Sequence, residues 1–544
     1  MELKGRLVDI RNRRIFPGII RISEGKIQSI TADASVQGPF ILPGFVDAHV
    51  HIESSMLTPA EFGRMAVVHG TVATVSDPHE IANVLGMAGV QFMLDNAALT
   101  PLKCCFGAPS CVPATVFETA GAVLDARAVT RLLANPSIRY LSEMMNFPGV
   151  RHQDPEVMAK IAAAKAAGKP IDGHAPGLRG EAAQQYFSAG ISTDHECFTY
   201  EEGREKAQLG VKILIREGSA AKNFEALIPL LSEFPGQIMF CSDDKHPDDL
   251  IHGHINLLVR RALAAGHDVF DVLQAACIHP VVHYGLPVGT LREGDPADFI
   301  LVRDLETFEI LSTWIDGREV ARNGKSLLSY QPAPEPNQWG VHPKRKRDFE
   351  VPAQGKTINV IRALDGELIT EQFTATARIQ AGWVEADPGR DLLKIAVVNR
   401  YADTPPAIGF IQGFGLKSGA IASSVAHDSH NIIAVGTDDD SITRAVNWLI
   451  RKKGGIVVVN GRKTQGLPLP LAGIMTAADG YKVARQYSNI SNAVKNALGS
   501  NLASPFMTLS FMALLVIPAL KMSDRGLFDG VQFRFQPLFD AATK

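Results

Sequence analysis

Four histidines and two carboxylates sit at the ends of short apolar runs in this sequence. They are His49 and His51 in Phe45-Val46-Asp47-Ala48-His49-Val50-His51, Glu143 after Leu141-Ser142, His174 after Asp172-Gly173, His195 after Thr193-Asp194, and Asp243 after Ser242. If residues 45–51 form a strand, His49 and His51 point to the same face, and neutral imidazoles are the commonest metal ligands. A single His-x-His is also compatible with a hydrogen-bonded strand end. Four imidazoles with two carboxylates exceed the needs of one divalent ion and suit two ions bridged by a carboxylate. Glu143, flanked by apolar residues, is the natural bridge. Its alternative is an ion pair, for which Arg216 is the one basic residue at a neighbouring run end. Two such ions bring the pKa of water towards neutrality, and Asp243 beside them can take its proton and pass it to an amine leaving group. The chemistry is hydrolysis at an sp² carbon: an amide, a cyclic amide or an amidine-like C–NH₂.

Other residues at run ends are candidates with competing roles. Asp77-Pro78-His79-Glu80 has the spacing of a helix capping box, and could equally hold an ion or bind substrate; His79 has no capping duty. Glu217 and Ser219, in Arg216-Glu217-Gly218-Ser219, either hydrogen-bond a substrate edge or form an ion pair and a turn. Glu80, Glu196, Glu217 and Asp244 are the candidates for a proton-donating acid. His427 and His430 either close the site from above or belong to a surface turn.

The elements that must position these groups are legible in the texture of the chain. Residues 1–42 alternate apolar and polar positions, as antiparallel strands do. Then eight strand-like segments (45–51, 71–77, 103–110, 138–144, 170–174, 191–195, 211–217 and 237–243) alternate with helical patterns. That predicts a (β/α)₈ barrel, whose active site lies at the C-terminal ends of its strands. A doubly wound open sheet is the alternative. Residues 285–317 return to strand alternation, so the barrel (43–284) reads as an insertion in a small composite β domain (1–42 with 285–330). A proline-rich linker with the basic run Lys344–Arg347 (331–352) precedes a further α/β domain (353–544).

The 544 residues are 46% apolar and 20% charged, which is the composition of an ordinary globular protein. A net charge of -3 gives no electrostatic reason to expect nucleic acid or anionic membrane as a partner. The six cysteines form no framework, as expected of reduced thiols in a cytoplasmic protein. The apolar stretch Leu509–Leu520 is too short to span a bilayer. A homo-oligomer, by default a dimer, is the general expectation.

The stretches VDAHVHIESS, TVSDPHEIANVLG, SEMMNFPGV, DGHAPGL, REGSAAKN, CSDDKHP, SVAHDSHNI, LPLPLAGIM and PALKMSDRGLFDG resemble the bacterial adenine deaminases of the amidohydrolase superfamily, nearly end to end. The resemblance implies hydrolysis of adenine to hypoxanthine and ammonia at a binuclear centre. Mn²⁺ is the first candidate, with Fe²⁺ or Zn²⁺ as alternatives, held by His49, His51, bridging Glu143, His174, His195 and Asp243. Rival readings are a deaminase of another 6-substituted purine, such as 6-methyladenine, a cyclic amidohydrolase, or a non-catalytic scaffold. Two departures from better-known relatives stand out. The bridge is Glu143 rather than a carboxylated lysine. Where mononuclear purine deaminases carry a glutamate, three residues after the fifth-strand histidine, this chain has Gly177.

Overall fold

A computed structural model describes residues 1–540 of the chain. All eight apolar segments form strands: Phe45–Val50, Thr71–Ser76, Lys103–Ala108, Ile138–Met144, Ile171–Gly173, Thr193–Asp194, Lys212–Arg216 and Ile238–Cys241. The first five lie parallel in sequence order, as do the last three. The Ser192 N–H donates to the Ile171 carbonyl at 2.9 Å, which joins the two groups. The ring closes where the Asp243 N–H donates to the His49 carbonyl (2.9 Å) and the His51 N–H to the Asp243 carbonyl (3.3 Å). This is a closed barrel, not an open sheet. Every residue of the first, second and eighth strands is buried, because inward side chains fill the barrel and outward ones meet helices.

One carboxylate is built into the closing seam. Asp47 on the first strand accepts hydrogen bonds from the Ser242 N–H (3.0 Å) and Ser242 Oγ, and meets His254 Nε2 at 2.7 Å. His254 is held in turn by Thr71 Oγ1, 2.7 Å from its Nδ1. A buried carboxylate is tolerable only with such partners, and here they tie the first strand to the last.

The strands on either side of the barrel share one eight-stranded sheet. Phe40–Pro43 pairs parallel with Glu2–Asp9 and antiparallel with Phe299–Val302. The N-terminal strands were expected to be antiparallel, and Phe40–Pro43 departs from that because the chain leaves the sheet there to begin the barrel.

The C-terminal region holds a second eight-stranded sheet, from Thr370–Thr376 at one edge to Lys463–Pro468 at the other. The helix Asp439–Lys452, capped by Asp438 accepting from the Ser441 N–H, packs on one face. The helix Gly480–Leu498 contributes to an apolar cluster that runs without a break into the barrel core. The segment 331–352 does not behave as a free linker. Val341 and Phe349 are buried, Asn337 donates to the Lys453 and Pro470 carbonyls (both 2.7 Å), and Lys344 Nζ meets Asp403 at 2.5 Å. Apolar residues interspersed among its prolines seat it on the C-terminal sheet. Among the described residues no helix is long and apolar enough to cross a membrane.

Candidate metal centre

Strand alternation brings the six sequence-derived ligands to one buried point at the C-terminal mouth of the barrel. Glu143 lies at its centre. Its Oε1 is 3.3 Å from His51 Nε2, while its Oε2 is 2.7 Å from His174 Nδ1 and 3.1 Å from His195 Nε2. Each carboxylate oxygen therefore faces a different set of imidazoles, as a bridging ligand would. Asp243 Oδ1 lies 3.2 Å from His51 Nε2 and 3.5 Å from His49 Nε2, and those two nitrogens are 3.2 Å apart. The His51 Nδ1 faces the Asp77 carbonyl at 3.1 Å; an N–H there leaves Nε2 free to bind a cation.

Burial alone would raise the Glu143 carboxyl, but the imidazoles of His174, His195 and His51 overcome it and hold the group well below the usual carboxylate range. Asp243 is likewise penalised by burial and is driven well below its ordinary value by Arg216, His49 and His51. Arg216 Nη1 meets Asp243 Oδ2 at 2.7 Å and also binds Glu196, whose Oε2 is 3.2 Å from Nη2. Glu196 is thus a fixed counter-anion of Arg216, a poor placement for a proton donor. Arg216 is not the partner of Glu143 that an ion-pair reading of that residue required.

The remaining candidates divide. Asp77 accepts the His79 N–H and holds the His79 ring (both 3.1 Å), which leaves His79 Nδ1 3.3 Å from Glu143 and Nε2 3.6 Å from Asp428. The capping-box alternative fails for Glu80, which turns into the cavity. There Ser54 Oγ lies 2.9 Å from Glu80 Oε1 and 2.6 Å from Asp244 Oδ1. The Ser54 hydroxyl thus links the two acids. Burial also raises the Glu80 carboxyl despite His427 nearby.

Glu217 and Ser219 lie outside the cavity. Inward Arg216 forces the next residue outward, and Glu217 pairs with Arg261 at 2.6 Å on the barrel flank. Ser219 donates to Asp249 and accepts from the His246 N–H at 2.9 Å.

The C-terminal domain supplies the roof. His427 and His430 are buried, not in a surface turn; His427 Nδ1 is 3.4 Å from Glu80 and its ring packs on Phe511 with centroids 5.5 Å apart. Met145, Leu368, Phe511, Leu514 and Asp428 complete the lining. Sequence reasoning missed these last five and Ser54. Ser54 lies within the quoted stretch VDAHVHIESS and Asp428 adjoins His427, but neither has a spacing that marks a role.

The residues present fit a divalent metal site. Buried His49 Nδ1 and His174 Nε2 have no hydrogen-bond partner. Glu143, Asp243 and four imidazoles crowd one buried point, a mixed oxygen and nitrogen donor set of the kind that divalent cations take. Several overlapping triplets of these side chains bring their ligand atoms within 4.8 Å of one another.

Comparison with known proteins gives two matching families. The amidohydrolase family matches residues 40–320, and the adenine deaminase C-terminal domain matches residues 367–534. Adenine deaminase from Sulfurovum sp. (strain NBC37-1) is 57% identical, covering 98% of this chain and 99% of its own. Those from Salinibacter ruber and Methanosarcina mazei are each 54% identical, with 99% and 98% of this chain covered and 99% of each of theirs. Among solved structures, the β-aspartyl dipeptidase of Fervidobacterium islandicum AW-1 is similar at 15% identity and a TM-score of 0.46, over 60% of this chain and 97% of its own.

Proposed function

The chain belongs to the adenine deaminases within the amidohydrolase family, a hydrolase acting on adenine, and from that premise we propose that the buried cluster at the barrel mouth is where it does so. The observation that carries the reading is Glu143, with one carboxylate oxygen towards His51 and the other towards His174 and His195. His49, His51, Glu143, His174, His195 and Asp243 would hold two divalent ions, Mn²⁺ first, with Fe²⁺ or Zn²⁺ as alternatives. When bound, such ions supply Lewis acidity that makes water a nucleophile near neutral pH.

The chain's own groups account for the protons. Asp243 is kept ionised by Arg216, so its Oδ1 can accept a proton from the attacking water and return it to the departing amine. Glu80, whose carboxyl burial raises and which Ser54 links to Asp244, protonates the purine ring nitrogen as oxygen adds at C6. The C6–N bond then breaks and the C6 hydroxyl returns its proton to that acid, so that adenine and water become hypoxanthine and ammonia. His79, oriented by Asp77, and His427 under Phe511 border the space for the flat base, and Phe511 and Leu514 keep water out.

The test is adenine turnover by metal-free protein reconstituted separately with Mn²⁺, Fe²⁺ and Zn²⁺. Activity should saturate at two ions per chain; saturation at one would refute the bridging role of Glu143. We also propose a homodimer, supported by the exposed apolar residues Val116, Val123, Val531 and Phe533, and a cytoplasmic setting, supported by six free cysteines. Sedimentation at micromolar protein tests the first, and cell fractionation the second.

A further inference from the structure

A second cavity, of about 660 Å³, lies on the flank of the barrel and shares no lining residue with the metal cluster. It is bounded by the turn after the seventh strand, the helix Ile255–Ala264 and the loop at Glu306 and Thr307. Lys245 lines it with 6% of its surface exposed. The sole hydrogen bond of that buried ammonium is a long one, 3.4 Å to the Glu217 carbonyl, and among the described residues it forms no ion pair. An ammonium has three protons to donate, and burying one without an anion is costly.

Asp249, Asp47 and Glu217 offset the Lys245 charge from a distance without pairing with it, and Lys222 adds to it. Lys222 and Arg260, both at the rim, have no ion-pair partner among the described residues. Arg261 is already committed to Glu217 and Glu225, each at 2.6 Å. Of the other acids in the lining, Asp249 takes the Ser219 hydroxyl and Glu306 is exposed to solvent. Leu257, Leu258 and Ala264, on the same helix as Arg260 and Arg261, add apolar surface to the lining. The volume is in the range of cavities that hold small organic ligands and far exceeds the needs of a lone inorganic anion.

We propose that this cavity binds a small organic phosphate, its phosphate group on Lys245 and Lys222 and its carbon frame against Leu257, Leu258 and Ala264. Phosphate supplies several acceptor oxygens to a lysine acting as a point charge. The site is independent of the adenine chemistry.

The test is calorimetric titration of the metal-loaded enzyme with ribose 5-phosphate, inorganic phosphate and ribose at constant ionic strength. Ribose 5-phosphate should bind saturably, inorganic phosphate more weakly and ribose not at all. Lys245→Met should weaken ribose 5-phosphate about tenfold or more, as the loss of a charge-assisted hydrogen bond predicts. Lys222→Ala, at an exposed position that does not threaten folding, should weaken it in the same direction and leave adenine turnover unchanged. Absence of saturable binding overturns the proposal. So does binding that survives both substitutions, since it would belong to the metal centre. Inorganic phosphate binding as tightly as ribose 5-phosphate would overturn the organic part of the assignment.

Discussion

The two sides of the catalytic cavity treat the same residue type in opposite ways. On one side Glu143 and Asp243 are surrounded by His49, His51, His174, His195 and Arg216, which hold both carboxyls well below their ordinary values against burial. On the other, burial prevails at Glu80 although His427 Nδ1 lies 3.4 Å away, and also at neighbouring Glu53, which does not line the cavity. Glu53 is pushed up to about 8 by burial and by Glu80, and Glu80 is raised as well. The difference lies in the neighbours, since every one of these acids is buried. One side favours the anion, which suits the ligands and base proposed there. The other is built to keep a proton, as an acid must.

The contrast can be broken by exchange of single groups. The largest effect is expected for Asp243→Asn, which removes the proposed ligand and base together. Turnover of adenine should fall by about a thousandfold or more, with circular dichroism unchanged and metal content reduced. Glu80→Gln should cost about a hundredfold in kcat while two ions remain bound. Loss of an ion in that variant would move Glu80 to the ligand side and erase the distinction.

A buried base in the roof extends the contrast to the opposite sign. Lys521 is fully buried and its Nζ donates only to the carbonyls of Leu368 (2.6 Å) and Phe511 (3.0 Å), two residues of the cavity lining. Burial lowers it from 10.5 to about 7. Between those values the unfolded chain carries a proton that the folded chain does not, so stability rises with pH across that window. Relative to Lys521→Met, the wild type should gain up to about 1.4 kcal/mol per pH unit from about pH 7 towards 10.5, read from urea unfolding. A parallel pH profile in the two proteins would count against it. The smallest effect belongs to Glu217→Gln on the outer flank, where Arg261 is partly exposed. It should leave kcat near wild type and cost at most about 1 kcal/mol of stability.

Much of this was legible from residue order, and for a physical reason. The eight strands are short apolar runs at regular spacing, and a barrel gathers whatever ends its strands. His49, His51, Glu143, His174, His195 and Asp243 could therefore be grouped before any geometry was known. Glu217 shows where that logic stops. At a strand end, one residue of shift decides between the cavity and the flank, and Arg216 took the inward position. Ser54, Asp428 and Phe511 were invisible for a different reason. Ser54 comes from the short helical turn after the first strand, Phe511 from the end of the helix Pro505–Phe511 and Asp428 from a loop, and periodicity is silent about which distant segment covers a barrel mouth. The proline-rich segment misled in the same way, because its composition says nothing of the surface that receives Val341 and Phe349.

The seam at Asp47, Ser242 and His254 sets the order in which the centre can be assembled. His49 and His51 are neighbours from the moment they are synthesised, but Asp243 reaches them only when the last strand docks against the first. A chain grown past His195 already carries five of the six proposed ligands and lacks only Asp243. Full coordination is thus deferred until the ring is shut, so a loaded centre certifies a finished barrel.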